Sequence, residues 1–245
     1  MREILKAVAR GAATIVVAPA LASRHLRSLV LGRDRALEGS TQALAWVPGI
    51  LGQYIRRAFL VRVLAGCHVT AVVEFGTIFA QAGARLDENA YVGPRCHLGL
   101  VHIERDVLLA AGVHIPSGAR SHGTDDVRIP IRDQHGSPTL VRIGSGSWIG
   151  AAAVVMADVG RDAIVGAGAV VTRNVPDRVV AAGVPARIVK HRDPAVVLVR
   201  GEETALVACL LDITTGPLRS TPPRRRARRG PRRCRGPKIA VESSL

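Results

Sequence analysis

The chain of 245 residues is 48% hydrophobic but only 3% aromatic, and it carries a formal net charge of +15. That apolar content excludes a globally disordered chain. The scarcity of rings leaves a core of Val, Ile, Leu and Ala, which suits regular small aliphatic layers better than an irregular globule. The four cysteines, Cys67, Cys96, Cys209 and Cys234, show no CxxC pair, no zinc spacing and no disulfide framework, and so point to a reducing compartment, the cytoplasm.

Residues 1–65 have mixed helical periodicity. Arg2, Lys6 and Arg10 precede an apolar run from Gly11 to Ala22 that ends Ala20-Leu21-Ala22. The pattern is that of a secretory signal, but Pro19 and the immediate Arg24, His25 and Arg27 favour an uncleaved helix that packs on the body or lies on a membrane. The run falls short of the ~18–20 residues that span a bilayer. Ile55, Phe59 and Arg62 follow one helical spacing and Leu60, Val61 and Leu64 another, after a break at Pro48-Gly49. Two or three helices are expected here, with peripheral membrane contact through the N-terminus.

Residues 66–190 repeat differently. Leu86, Val92 and Leu98 lie six apart; so do Ile103, Leu109 and Ile115, then Ile143, Ile149 and Val155, then Val159, Val165 and Val171. Glycine often follows (Gly93, Gly99, Gly144, Gly150, Gly160, Gly166), and a small residue recurs four positions on, as at Ala90, Cys96, Ser147, Ala153 and Ala169. This period fits neither an amphipathic helix nor a flat hairpin; it is a signature of the parallel β-helix. Each unit makes a short strand and a corner, the aliphatic stacks inward on its counterpart in the next coil, and small residues serve the tight corner. The register slips between Leu98 and Ile103 and again between Val155 and Val159. From Ser117 to Leu140 the repeat is lost to a segment rich in Gly, Asp, His, Arg and Pro. A loop of this length (117–140) in a compact repeat domain is expected to be functional.

Residues 191–245 form a third region. Asp193-Pro194 opens a short helix with Val196 to Leu211 as its apolar body, and an Arg/Pro-rich tail follows from Pro222 to Arg233. Of the 34 Lys and Arg, 12 lie in this region. The tail reads as solvated and without structure. No aromatics interleave its arginines to stack bases, so nucleic acid is not the expected partner.

The stretches Ile143–Ala151 (IGSGSWIGA), Val165–Pro176 and Val180–Val189 (ending AAGVPARIV) closely resemble the hexapeptide-repeat acetyltransferases. Within that family they look like the sugar O-acetyltransferases of galactoside, maltose and exopolysaccharide (colanic acid) type. The resemblance runs from residue 70 to 190. It implies an all-β core, a left-handed parallel β-helix of hexapeptide repeats, assembled as a homotrimer with sites between neighbouring subunits. It also implies acetyl-CoA as donor, no metal, no permanently bound cofactor, and direct transfer of the acetyl group to a hydroxyl of a free, nucleotide-linked or lipid-linked sugar, as in exopolysaccharide biosynthesis. Transfer to an amino sugar and a non-catalytic scaffold are the alternatives.

In the family a histidine on the interrupting loop is the general base. That role maps onto His122, although this loop reaches its histidine a little later than in the galactoside and maltose enzymes. The chemistry fits, because a hydroxyl must lose its proton as it attacks and imidazole accepts protons near neutral pH. Asp125 or Asp126 is placed to orient that base, and His135 in the same loop is its rival. By resemblance the backbone N–H of Ala151 faces the oxyanion, Trp148 walls the donor or the acceptor cleft, Gly150 lines the donor cleft, and Gly166 and Ala167 let the thin pantetheine arm lie close. Arg173 and Arg187 meet the coenzyme's phosphates. Trp148 also reads as a packing residue at a coil corner. His97, His114 and His122 invite a zinc site of γ-type carbonic anhydrase kind, but nothing in their spacing fixes three ligands at matched distances.

Overall fold

The computed structural model describes residues 2–192, with side chains from Gly11 onward. The helix expected over 196–211 and the basic tail lie outside the described residues. Three helices come first: α1 (Arg2–Leu31), α2 (Arg33–Ala45) and α3 (Gly49–Val63). Gly32 and Gly49, both at positive φ, supply the breaks. α3 buries Ile55, Phe59, Leu60 and Val63, and Leu64 after it, on one wide apolar face; of the two expected spacings Arg62 and Val61 fall outside that face and are exposed.

α1 corrects the expectation of a short apolar run. Its segment Gly11–Leu31 is long and apolar enough to cross a membrane by length and composition, and of it only Ala13 and Val17 are buried. The charges after Ala22 do not end the run, because Leu26, Leu29, Val30 and Leu31 continue it.

The chain then winds into a parallel β-helix. The first coil has β1 (Gly66–Cys67), β2 (Val72–Val73) and β3 (Ile78–Phe79). The second has β4 (Arg85–Leu86), β5 (Tyr91–Val92) and β6 (His97–Leu98). The third has β7 (Val101–Ile103), β8 (Leu108–Leu109) and β9 (His114–Ile115). After the loop, which contains a single 3-10 turn at Ile131–Asp133, come β10 (Val141–Ile143), β11 (Trp148–Ile149) and β12 (Val154–Val155). The fifth coil has a lone bridge at Val159, then β13 (Ile164–Val165) and β14 (Val170–Val171). The sixth has a bridge at Val175, then β15 (Val179–Ala182) and β16 (Arg187–His191), which turns back antiparallel on β15. Three sheets result: A (β1-β4-β7-β10), B (β2-β5-β8-β11-β13-β15-β16) and C (β3-β6-β9-β12-β14).

The repeated aliphatics point inward as expected, Leu86, Leu98, Ile103, Ile115, Ile143 and Ile149 being sealed from solvent. The small residues two positions before them also point inward, not into the corner: Ala84, Ala90, Cys96, Ala153, Ala163 and Ala169 are all buried. The interior takes one large and one small side chain per face, which fills a narrow triangular core without voids. Where the small residue is polar, its hydroxyl ties two coils together. Ser147 Oγ donates to Gly160 O (2.6 Å) and accepts from Ala163 N–H (3.0 Å). The followers Gly93 and Gly144 sit where a Cβ would meet backbone of the next coil at 2.7 and 2.6 Å. They permit the coils to stack at strand spacing.

The shortened corner after Val155 leaves only a bridge at Val159. Asp158 Oδ1 accepts the Arg142 N–H (2.8 Å) there, and Asn174 Oδ1 accepts the Asp158 N–H (3.2 Å), so side chains replace the missing ladder bonds. At the other end the helices close the coil. Thr41 Oγ1 accepts from Phe79 N–H (3.2 Å) and Asp34 Oδ1 from Ala82 N–H (2.9 Å). The buried Arg56 donates to Val73 O (3.0 Å) and Val47 O (2.6 Å), and burial lowers its guanidinium pKa. Gly76 N–H donates to Ala45 O (3.0 Å), which fixes the end of α2 on the first coil.

Candidate active site

The corners between sheets B and C stack as a ladder: Phe75-Gly76, Pro94-Arg95, Ala111-Gly112, Ala151-Ala152 and Ala167-Gly168, one pair per coil. The second member of each pair has positive φ. Its N–H, from Arg95 on, donates to the first member of the preceding coil: Arg95 to Phe75 O (2.9 Å), Gly112 to Pro94 O (2.8 Å), Ala152 to Ala111 O (2.9 Å) and Gly168 to Ala151 O (2.8 Å). Where the first member is alanine, its own N–H is left over. Ala111, Ala151 and Ala167 are exposed, and their N–H groups donate to no acceptor among the described residues. An exposed, fixed N–H of this kind is what an oxyanion or a pantetheine carbonyl requires.

Gly150 is buried under the next coil, where a Cβ would meet the Gly166 carbonyl carbon at 2.7 Å. Gly166 is half-buried, with Ala182 Cβ 2.9 Å from where its own Cβ would stand. Trp148 is not at a corner. It stands outward on β11, 49% exposed, in register with Leu108 and Ile164 in an apolar column along sheet B. Arg187 on β16 is exposed, and its Nη1 donates only to the neighbouring Ala186 O (3.1 Å).

His122 and Arg173 lie elsewhere. The loop leaves the coil after β9 and returns at β10, at the corner between sheets C and A, and Arg173 is exposed at the same corner two coils on. The loop is braced at its base by Thr139 N–H to Ser117 O and Ser137 N–H to Arg120 O, both 2.8 Å. Ser121 Oγ adds a bond to Pro116 O (2.9 Å), and Gln134 Nε2 donates to Asp126 O (2.7 Å) and Ile129 O (2.8 Å). Gly123 and Gly136 have no room for a Cβ, because the two arms of the loop touch there; this sets His122 beside His135. Both imidazoles are exposed, and neither has a partner among the described residues.

Asp126 does not orient His122. Its carboxylate takes Arg128 Nε and Nη2, both at 3.0 Å, and this pairing lowers the Asp126 pKa. Among the described residues no carboxylate, Asp125 included, bonds to His122. The histidines within the repeats do not gather around a metal position either. His97 and His114 stack outward on sheet C with ring centroids 6.2 Å apart, and no group of three His, Cys, Asp or Glu able to hold a metal ion occurs among the described residues.

No family model matches the chain. It is 37% identical over 94 residues to Rv3034c of Mycobacterium tuberculosis H37Rv, named as a candidate acetyltransferase; that match covers 38% of this chain and 31% of the relative, so the chain spans about a third of that relative's length. It is 30% identical over 141 residues to WbbJ of Escherichia coli K12, named as a candidate O-acetyl transferase of lipopolysaccharide biosynthesis, covering 48% of this chain and 71% of WbbJ. This chain belongs to the hexapeptide-repeat acetyltransferases. Two solved structures share the fold. A maltose O-acetyltransferase from Clostridium difficile 630 superposes with a TM-score of 0.56 at 21% identity, over 67% of this chain and 89% of its own. A galactoside acetyltransferase in complex with coenzyme A gives 0.53 at 22%, over 66% and 82%.

This hexapeptide-repeat acetyltransferase therefore divides its candidate residues between two edges. Ala151, Gly166 and Ala167 share the corner of sheets B and C; His122 and Arg173 share the corner of C and A. The face between them is five extended residues wide, about 16 Å. The unbonded N–H groups of Ala111 and Ala167 were not legible beforehand, since a free amide carries no side-chain signal.

Proposed function

We propose that the protein transfers an acetyl group from acetyl-CoA to a hydroxyl of a sugar, in a site built where the B–C edge of one subunit meets the C–A edge of the next in a homotrimer. The observation that carries this reading is the unbonded Ala151 N–H, held at an exposed corner in a member of an acetyltransferase family. The His122 imidazole takes the proton of the acceptor hydroxyl as its oxygen attacks the thioester carbonyl carbon. The carbonyl oxygen becomes the oxyanion that Ala151 N–H holds. The C–S bond then breaks, and the departing coenzyme thiolate recovers the proton from the imidazolium. The placing of His122 and Ala151 on different edges of one chain supports a site shared between neighbouring subunits of a cyclic trimer.

The first test is titration of the folded protein with coenzyme A. Binding weakens about tenfold in Arg173→Ala or in Arg187→Ala, the loss of one charge-assisted phosphate contact. Absence of binding by the wild type would favour a non-catalytic scaffold.

We propose further that the reaction runs in the cytoplasm at a lipid surface; the exposed apolar stripe of α1 supports the lipid contact. Ile15, Leu26, Leu29 and Val30 are 77%, 66%, 73% and 86% exposed and, with Pro19 and Ala22, form one stripe at helical spacing. The basic excess of the chain complements anionic headgroups. The wild type is expected to float with phosphatidylglycerol vesicles. The triple variant Leu26→Glu, Leu29→Glu, Val30→Glu should bind them at least ~tenfold more weakly, given the apolar area lost. Equal flotation of the two proteins would refute the contact.

A further inference from the structure

We infer that a cleft at the opposite end of the B–C edge from Ala167 binds a sugar ring, and that the acceptor is therefore an oligosaccharide running along this edge rather than a single sugar. The inference rests on the transferase reading above.

The cleft has a volume of about 440 Å³ and is lined by Gln42, Trp46, Phe75, Ile78 and Arg95. Trp46 is 78% exposed, though aromatics are scarce in this chain and such a ring usually finds burial. It is held in place. The Gly76 N–H bond to Ala45 O fixes the backbone beside it, and its ring stands edge-on to Phe75 with centroids 6.3 Å apart and planes at 85°. Phe75 is half-buried, and the Arg95 N–H donates to Phe75 O. The arrangement offers an exposed aromatic face braced on Phe75, with an amide and a guanidinium at its rim. A pyranose matches it: polarised C–H groups meet the electron-rich ring face, and hydroxyls meet Gln42 and Arg95.

Its position supplies the second argument. Phe75 and Arg95 are the first two rungs of the corner ladder on which Ala151 is the fourth. Three coil spacings of ~4.8 Å put the cleft about 14 Å from the Ala151 corner. Between them, on the adjoining outer face of sheet C, the stacked His97 and His114 offer further polar contacts. Trp148 borders the Ala151 corner from sheet B. The two tryptophans of the chain thus stand at either end of one track, which is longer than a single sugar ring. A lipid surface is a poorer match to the cleft, which is concave and rimmed by polar groups.

The test is calorimetric titration of the full-length protein with β-galacto- and malto-oligosaccharides of one, two, four and six units, with coenzyme A titrated on the same samples. Affinity in at least one series should rise about tenfold or more from one unit to four. Trp46→Ala should lose about tenfold for the longer chains, the value of one aromatic stacking contact, while Trp46→Phe keeps most of it. Coenzyme A affinity should be equal in all three proteins. Affinity independent of length, absence of binding in both series, or full affinity in Trp46→Ala would each overturn the inference. So would a Trp46→Ala protein that loses vesicle binding and keeps glycan binding. If coenzyme A fails to bind as well, the transferase reading falls with it; if coenzyme A binds normally, only the oligosaccharide track is lost.

Discussion

Replacing His122 with alanine lowers kcat for acetyl transfer by about 10²–10⁴-fold, the usual worth of a positioned general base. The imidazole is exposed and without a partner among the described residues, so its loss removes no packing and breaks no bond. Thermal stability and coenzyme A affinity should match the wild type, and the rate alone should fall. His135→Ala is the matched control, because the loop sets His135 beside His122. That variant should stay within a few-fold of wild type. A slow His135→Ala with a fast His122→Ala would exchange the roles of the two residues, and two fast variants would remove the base from this loop altogether.

Ala151→Pro should lower kcat by about 10²–10³-fold, the cost of one oxyanion donor. Proline deletes the N–H and little else. The fold already accepts it at this place: Gly93-Pro94 occupies the corner of the second coil that Gly150-Ala151 occupies in the fourth. The Ala151 carbonyl that accepts from Gly168 N–H is retained, so the melting temperature should be unchanged. A variant as fast as wild type would place the oxyanion elsewhere. The two variants also test the assembly together. Unfolded, mixed in equal amounts and refolded, His122→Ala and Ala151→Pro should regain activity at about a quarter of the sites, if each site joins two subunits of a ring. No recovery would mean that one chain supplies both groups.

Much of the fold was legible because a solenoid writes its structure locally. Leu86, Val92 and Leu98 report their inward direction by spacing alone, and Ser117–Leu140 announces itself by breaking that spacing. The destination of the small residues was misread, since a sequence cannot distinguish an alanine that fits a tight corner from one that fits a narrow core. The site was only half legible. His122 and Ala151 could be named by resemblance, but their separation onto two edges depends on which sheet each coil position joins. Trp46 and Phe75 are distant in sequence, and the docking of α2 on the first coil, through bonds such as Gly76 N–H to Ala45 O, brings them together. Asp126 looked available to His122 until Arg128, two residues away, claimed both of its oxygens.

The reversal of β16 has a consequence for solubility. A parallel solenoid ends in an unsatisfied row of amides and carbonyls on which another copy can continue the stack, as in fibrils. Here the outermost strand on sheet B runs against the others and carries Arg187, Lys190 and His191, all exposed. An incoming parallel edge would find the wrong hydrogen-bond pattern and a row of like charge. At the opposite end α2 accepts from the Gly76, Phe79 and Ala82 amides of the first coil, and Arg56 of α3 donates to its Val73 carbonyl. At the β16 end of sheet B, at least, the described residues offer no parallel edge on which a further coil could stack.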